Sequence, residues 1–282
     1  MSNASPESCW PPASRDDDLT LPEAFDYYQR VVYDAPRLAI SLAALIDRTG
    51  ARRILDCAAG SGLPALQLRA AGYTIDCSDG DPDMVARFQR NARVLDVDGS
   101  CQVKDWSHLG PETSSSPGRY DYLLCRGNSL VYASSWGGGD RVADRSCLSR
   151  YLQTFASLLE PGGYLHLDAP RTTTTTRCEA STLIVDPDRD RLLIDDPASV
   201  PLEITVQEQV TTGQTSRCWE CSVSLQPADG PVSKRAFAMN SSKLTVTDLL
   251  DLLADIELDV VEVVELDGDR ECHETVLARK PT

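Results

Sequence analysis

The chain predicts an α/β fold: a mostly parallel, twisted sheet with helices on both faces, followed by an inserted antiparallel β segment. Three observations predict it. Between Arg53 and Asp168, short apolar runs alternate with helical segments, the pattern of βαβ units. A glycine-rich turn, Ala59-Gly60-Ser61-Gly62, directly follows the first apolar run. After Pro170 the helices stop, and strand-like runs follow one another with turn residues between them.

Taken in order, residues 1–19 are rich in Pro, Ser and Asp and read as a flexible arm. Residues 23–48 carry apolar positions at helical spacing, interrupted at Asp34-Ala35-Pro36 and ended by Gly50. Ile54–Ala58 is a strand and Leu63–Ala71 a helix. Tyr73–Ser78 is the next strand, and Pro82–Leu95 the next helix. Strands at Ser100–Val103 and Tyr120–Cys125, a helix at Leu148–Leu159, a Pro161-Gly162-Gly163 turn and a strand at Tyr164–Asp168 complete the alternation. Arg171–Thr176 reads as loop or edge. Thr182–Val185, Arg191–Ile194, Leu202–Thr211, Ser216–Leu225 and Val232–Met239 read as antiparallel strands. Thr245–Ala254 returns to helix with Thr245 or Thr247 as N-cap, and Leu258–Leu266 and Glu274–Ala278 form a last hairpin. The domain reading is therefore an arm at 1–19, a main domain of 20–171 and 241–282, and an antiparallel lid at 172–240.

With 41% hydrophobic and 25% charged residues, the chain is globular rather than disordered. Its net charge of −16 repels phosphate backbones, so nucleic acid is not the expected partner. No apolar run is long enough to span a bilayer, and the first residues lack the basic and apolar regions of a secretory signal. The expectation is a cytoplasmic protein with a small-molecule partner. A homo-oligomer stays open, since the arm could reach a neighbouring subunit. Ten cysteines are scattered rather than paired, and Cys218-Trp219-Glu220-Cys221 has no second pair to complete a metal site. No metal is expected.

The chemistry is expected where the first strand meets its helix, at Asp56-Cys57-Ala58-Ala59-Gly60-Ser61-Gly62. Glycines there let the backbone approach a ligand beside a helix N-terminus. The second strand ends in Asp79, 23 positions after Asp56. A carboxylate at that tip accepts hydrogen bonds from ribose hydroxyls, so an adenosine-containing ligand is indicated. The third glycine of a dinucleotide fingerprint is missing, because Leu63-Pro64-Ala65 follows Gly62.

These residues, with Leu159-Glu160-Pro161-Gly162-Gly163 before a strand, resemble the class I S-adenosylmethionine-dependent methyltransferases. Arg53–Gly62, Gly72–Asp79, Asp105-Trp106 and Tyr120–Ser129 resemble, within them, the glycine N-methyltransferase and glycine/sarcosine methyltransferase group. The resemblance implies a Rossmann-like sheet with an antiparallel β lid, and S-adenosyl-L-methionine as cofactor. It implies cofactor contacts from Tyr33, Arg37, Asp56, Ala58, Gly60, Gly62, Asp79, Gly80, Met84, Asp105, Trp106 and Cys125. In particular, Arg37 would pair with the donor's carboxylate, and Asp105 and Trp106 would hold the adenine. Gly127, Asn128 and Ser129 would lie beside the methyl donor and acceptor.

Two positions depart from the group: Arg126 stands before Gly127-Asn128-Ser129, and Arg171 is displaced by one position. With Asn128 they are the candidate catalytic residues. Two guanidinium groups beyond the donor methyl would hold a small carboxylate. The expected function is methyl transfer to the nitrogen of a small amine or amino acid. A natural-product amine or hydroxyl acceptor, or cofactor binding without transfer, are the alternatives.

Overall fold

The structure, a computed structural model, describes residues 19–109, 120–132, 134–136, 142–169, 176–185, 202–213, 216–227, 230–269 and 273–282. Arg171, the 1–18 part of the arm and the expected strand Arg191–Ile194 lie outside the described residues. Leu19, expected in the arm, is 9% exposed and belongs to the packed core.

Helices α1 (Leu21–Val32) and α2 (Ala35–Thr49) are separated where Asp34-Ala35-Pro36 interrupts the pattern. Thr20 and Glu23 form a capping box on α1, and Asp34 caps α2. The alternating elements are β1 (Ile54–Asp56), α3 (Ala65–Ala70), β2 (Ile75–Asp79), α4 (Pro82–Leu95), β3 (Gln102–Val103) and β4 (Tyr120–Cys125). Next come a short helix α5 (Ser129–Tyr132), then α6 (Arg145–Leu158) and β5 (Leu159–Ala169). β5 starts before the Pro161-Gly162-Gly163 turn, and its pairing with β4 shifts register between Tyr120 and Tyr122. Four long strands follow: β6 (Thr176–Val185), β7 (Leu202–Thr212), β8 (Ser216–Pro227) and β9 (Ser233–Ser242). The chain ends with α7 (Val246–Asp255), capped by Thr245, and the hairpin β10 (Asp259–Val264) and β11 (Glu274–Arg279).

The main sheet has the order β10-β11-β5-β4-β1-β2-β3. β3, β2, β1, β4 and β5 run parallel, and β11 and β10 are antiparallel additions at one edge. Parallel strands covered on both faces need apolar side chains on both faces, and β1 and most of β4 are buried throughout. β6–β9 form a separate antiparallel meander. Helix α1 packs against strands of this second sheet and against α4 of the first. It is held there by Asp26, which is 0% exposed. The Arg87 guanidinium stands 2.8 Å from Asp26, Arg30 stands 3.0 Å from it, and the Ser61 hydroxyl donates to it at 2.7 Å. Burial alone would raise the Asp26 carboxyl, but Arg30, Arg87 and Ser61 outweigh it and hold it below its usual value. No helix among the described residues is long and apolar enough to cross a membrane.

Candidate active site

A cavity of about 930 Å³ lies where β1, β2 and β4 end at their carboxyl termini. The opposite wall comes from α1 and from β7 and β8 of the second sheet. An open α/β sheet offers its ligand crevice at this end of its strands.

The first wall is the turn after β1. Asp56 is 4% exposed and accepts from the Ala58 N–H at 3.1 Å. Burial pushes its carboxyl up to about 7, offset only in part by that N–H and by Arg126. Gly60 has a φ of +51° and a Cβ built on it would meet nothing within 4 Å, so its backbone faces open space. Gly62 differs. A Cβ there would stand 2.5 Å from Leu66 Cδ1, so this glycine serves the packing of the turn onto α3 and α4. It does not line the cavity, and neither does Cys125, which is 1% exposed.

Asp79 ends β2. Its Oδ2 accepts the Gly60 N–H at 2.8 Å and its Oδ1 accepts the Asp81 N–H at 2.9 Å. Burial raises its carboxyl, and those backbone donors counter the effect. Gly80 and Met84 line the cavity beside it. Asp105 and Trp106 lie further along the same wall. Asp105 caps a 3₁₀ turn by accepting from Ser107 N–H at 2.8 Å. The Trp106 indole donates to the Cys57 carbonyl at 2.7 Å and packs edge-on to Tyr151 and Phe155. It therefore presents one part to the cavity while belonging to the core.

The expected Arg37 contact is corrected by its placement. Its side chain is 67% exposed, 3.6 Å from Asp34, and outside the cavity lining. It sits near the start of α2, with Leu38 rather than Arg37 turned inward. Tyr33, just before α2, does line the cavity, and burial raises its hydroxyl well above the usual value.

Behind β4 the backbone turns sharply, with Gly127 at φ +65° and Asn128 at φ +56°. The Gly127 N–H donates to Asp168 at 3.0 Å. The Asn128 amide nitrogen meets His273 Nε2 at 2.7 Å, and His273 Nδ1 meets Asp269 at 3.0 Å. Asn128 Oδ1 is buried without a partner among the described residues. Arg126 also lines the cavity, but it does not offer a free fork to a substrate carboxylate. Its guanidinium is 3.1 Å from Asp168 and 3.4 Å from Asp269, and only 7% of its side chain is exposed. Burial would raise Asp168, yet Arg126 and His166 hold it well below the usual carboxylate range. The expected carboxylate clamp of Arg126 with Arg171 is thus corrected on the Arg126 side: two acids already compensate it. His166 is 0% exposed, bonded to Tyr122 and Asp168, and held down by burial, so it is a neutral structural group behind the sheet face.

On the second wall, sequence reasoning singled out no residue of the second sheet. Phe25, Tyr28, Tyr132, Trp136 and Trp219 line that wall together with Glu208. Trp219 packs on Tyr28 at 4.9 Å between ring centroids, and Phe25 stands edge-on to Trp136 at 5.0 Å. Trp219 Nε1 and the Tyr28 hydroxyl donate to Glu208 Oε2 at 3.1 and 3.3 Å. The indole of Trp136 donates to Asp81 at 2.6 Å, joining this wall to the tip of β2. The missed signal was periodic: Glu208, Val210 and Thr212 alternate along β7, and Arg217 and Trp219 along β8, so each set shares one face.

A search against protein-family models finds none that matches. Among curated proteins, the glycine/sarcosine N-methyltransferase of Parasynechococcus marenigrum is 35% identical over 88 residues, covering 31% of this chain and 30% of that protein. The corresponding Halorhodospira halochloris protein is 34% identical over 124 residues, covering 44% and 41%. The chain thus matches less than half the length of these relatives. Among solved structures, an S-adenosylmethionine-dependent methyltransferase from Clostridium acetobutylicum superposes with a TM-score of 0.67 at 14% identity, over 92% of this chain and 98% of that one. The architecture is decided by that superposition. The chain has the fold of the class I S-adenosylmethionine-dependent methyltransferases. A second structure of this fold, the sugar N-methyltransferase KedS8 from Streptoalloteichus, covers 100% of the chain and 99% of its own with a TM-score of 0.65 at 17% identity. In both superpositions the likeness extends over nearly the whole chain.

Proposed function

We propose that the chain is an S-adenosylmethionine-dependent N-methyltransferase acting on a small-molecule amine. The observation that carries the reading is one cavity that runs from Gly60 and Asp79 to Asn128 and the aromatic wall of the second sheet. Its volume of about 930 Å³ lies at the upper end of the range for small-molecule sites, enough for a cofactor and an acceptor together. The names of the curated relatives, all N-methyltransferases, point the same way.

The residues fit the cofactor. Gly60 and Gly127 both leave open space where a side chain would stand, which lets their backbones approach a ligand. Asp79 would accept the ribose hydroxyls with the lone pairs its backbone donors leave. Asp105 and Trp106 would hold the adenine, with Gly80, Met84, Ala58 and Tyr33 completing the contacts. When bound, the cofactor supplies an electrophilic methyl group on a sulfonium. The chain supplies alignment and exclusion of water, which account for several kcal/mol of such a barrier. Asn128 Oδ1, buried and unpartnered, would accept an N–H of the acceptor and aim the nitrogen lone pair. The aromatic wall keeps the attacking amine out of water, which favours its neutral, nucleophilic form. We read residues 172–240 as the lid that closes this side, with its last strand continuing to Ser242.

Because Arg126 is committed to Asp168 and Asp269, an acceptor held by that arginine alone is not favoured. The test is calorimetry with S-adenosylmethionine, followed by mass spectrometry of products from glycine, sarcosine, dimethylglycine and an amino sugar. N-methylated product from at least one amine is expected. Cofactor binding accompanied by methylation of hydroxyl acceptors only, or by no transfer, would overturn the reading.

A further inference from the structure

Among the described residues, two cations line the cavity without an ion pair, and both belong to the second wall. They are Arg217 on β8 and Lys243 just beyond β9. Arg217 stands in register with Thr212 and Ser241 on the two neighbouring strands. Its Nη1 is buried and has no hydrogen-bond partner. An unmade bond on a buried guanidinium nitrogen is costly, since such groups carry charge-assisted bonds worth more than neutral ones, although the residue as a whole is half-buried. Lys243 is exposed at the cavity rim. Asp248, an acid that feels it, is already engaged by Thr245.

The charge balance sharpens the point. The chain has 43 acidic residues and 27 basic ones, so carboxylates are in surplus for pairing. The other arginine of the cavity, Arg126, has drawn two of them. Two cations left unpaired in such a chain, both facing one cavity, form a place where an anion is stabilised on arrival. The cofactor end of the same cavity is acidic, with Asp56, Asp79, Asp81 and Asp105. The second wall holds one acid among the described lining residues, Glu208, and it is already engaged by Trp219 and Tyr28.

We infer that Arg217 and Lys243 form an anion-recognition locus, and that the methyl acceptor is an amine carrying a carboxylate or phosphate group. The inference deepens the proposed function and rests on the cavity being the acceptor site. Arg217 is the principal contact, because its planar fork binds a carboxylate or phosphate bidentately. Lys243 adds a mobile point charge at the rim.

The experiment uses matched amines: ethanolamine against phosphoethanolamine, and propylamine against β-alanine. Binding to the full chain saturated with S-adenosylhomocysteine is measured by calorimetry, and turnover is measured separately with S-adenosylmethionine. The wild type should prefer the anionic member of at least one pair by about 10- to 100-fold, the worth of a charge-assisted contact. Which pair shows the preference tells phosphate from carboxylate. Arg217→Met should collapse that ratio to near one, Arg217→Lys should keep part of it, and Lys243→Met should reduce it several-fold. If Arg217→Met does not fold, Arg217→Lys and Lys243→Met still carry the test. Anion-dependent binding without turnover would sink the methyl-transfer reading and leave the locus standing. Turnover or binding with no anionic preference, or a preference unmoved by all three variants, would sink the locus. The absence of binding by every one of these amines would sink it as well.

Discussion

The Arg126 guanidinium lies 3.1 Å from the Asp168 carboxylate, an ion pair that ties the end of β4 to β5 under the cavity floor. Asp168 also accepts the Gly127 N–H and the Thr275 hydroxyl, so one carboxylate orders three elements. The pair is a structural hinge-pin of the site.

Replacing Arg126 by Met should therefore strip two buried acids of their counter-charge. A broken buried pair costs about 3–5 kcal/mol. Urea denaturation at pH 7 measures it, and a loss under 1 kcal/mol would show that the acids find other partners.

The same acid and Asp56 predict opposite pH behaviour. Asp168 is held below its unfolded value, so its stabilisation is present above about pH 4 and fades as pH falls below that. Asp56 is raised to about 7, so it favours folding below about pH 4, and that contribution is lost as pH climbs to about 7. Asp56→Asn keeps an acceptor for the Ala58 N–H and removes the buried charge. It should stabilise the ligand-free protein by about 2–4 kcal/mol at pH 8 and by nothing near pH 3. Thermal melts of both proteins across that range give the answer.

At Asp79 the two oxygens already bind the Gly60 and Asp81 amides. Asp79→Ala should weaken S-adenosylmethionine binding about 30- to 150-fold, equivalent to 2–3 kcal/mol. It should also speed hydrogen exchange at the Gly60 amide in the free protein. Unchanged exchange would mean the turn is held by other means.

The two glycines of the turn should respond differently. Gly62→Ala drives a Cβ into Leu66 and Phe88 from a φ of +106° and should cost about 1–3 kcal/mol of stability. Gly60→Ala should cost about 1 kcal/mol, the price of its left-handed backbone, yet reduce cofactor affinity more than Gly62→Ala does. Melting and calorimetry on the pair separate the roles.

The wall of the second sheet offers a fifth handle. Trp219→Phe leaves an apolar ring but removes the indole donor to Glu208. It should raise the acceptor KM several-fold while cofactor affinity stays within about twofold. A shift confined to cofactor affinity would reassign that wall.

What the sequence made legible follows from locality. Helix Pro82–Leu95 and strand Tyr120–Cys125 fall where the pattern puts them, because Asp81 and Pro82 start one and a run of apolar residues spells the other. The Gly60 turn and Asp79 were readable because glycine and acid at adjacent strand tips act through their immediate neighbours. Arg126 was misread as free because its partner Asp269 is 143 positions away. Glu208, Arg217 and Trp219 were invisible for a related reason. A strand's alternation gives two faces, and only the docking of the second sheet decides which one meets the cavity. Arg37 was misplaced by one step of helical rotation, which turns Leu38 inward instead.

The cavity has two walls with separate foundations. One rests on turns locked to the parallel sheet by backbone hydrogen bonds. The other rests on side chains projecting from a meander that makes its own ladder of pairings. Variation therefore falls on them unequally. A library randomised at Val210 and Thr212 would sample new acceptors on an intact donor platform, whereas the same diversity spread over 56–62 would mostly yield chains that bind nothing. Inheritance would act in the same way, letting substrate range drift in a lineage while the donor stays the same.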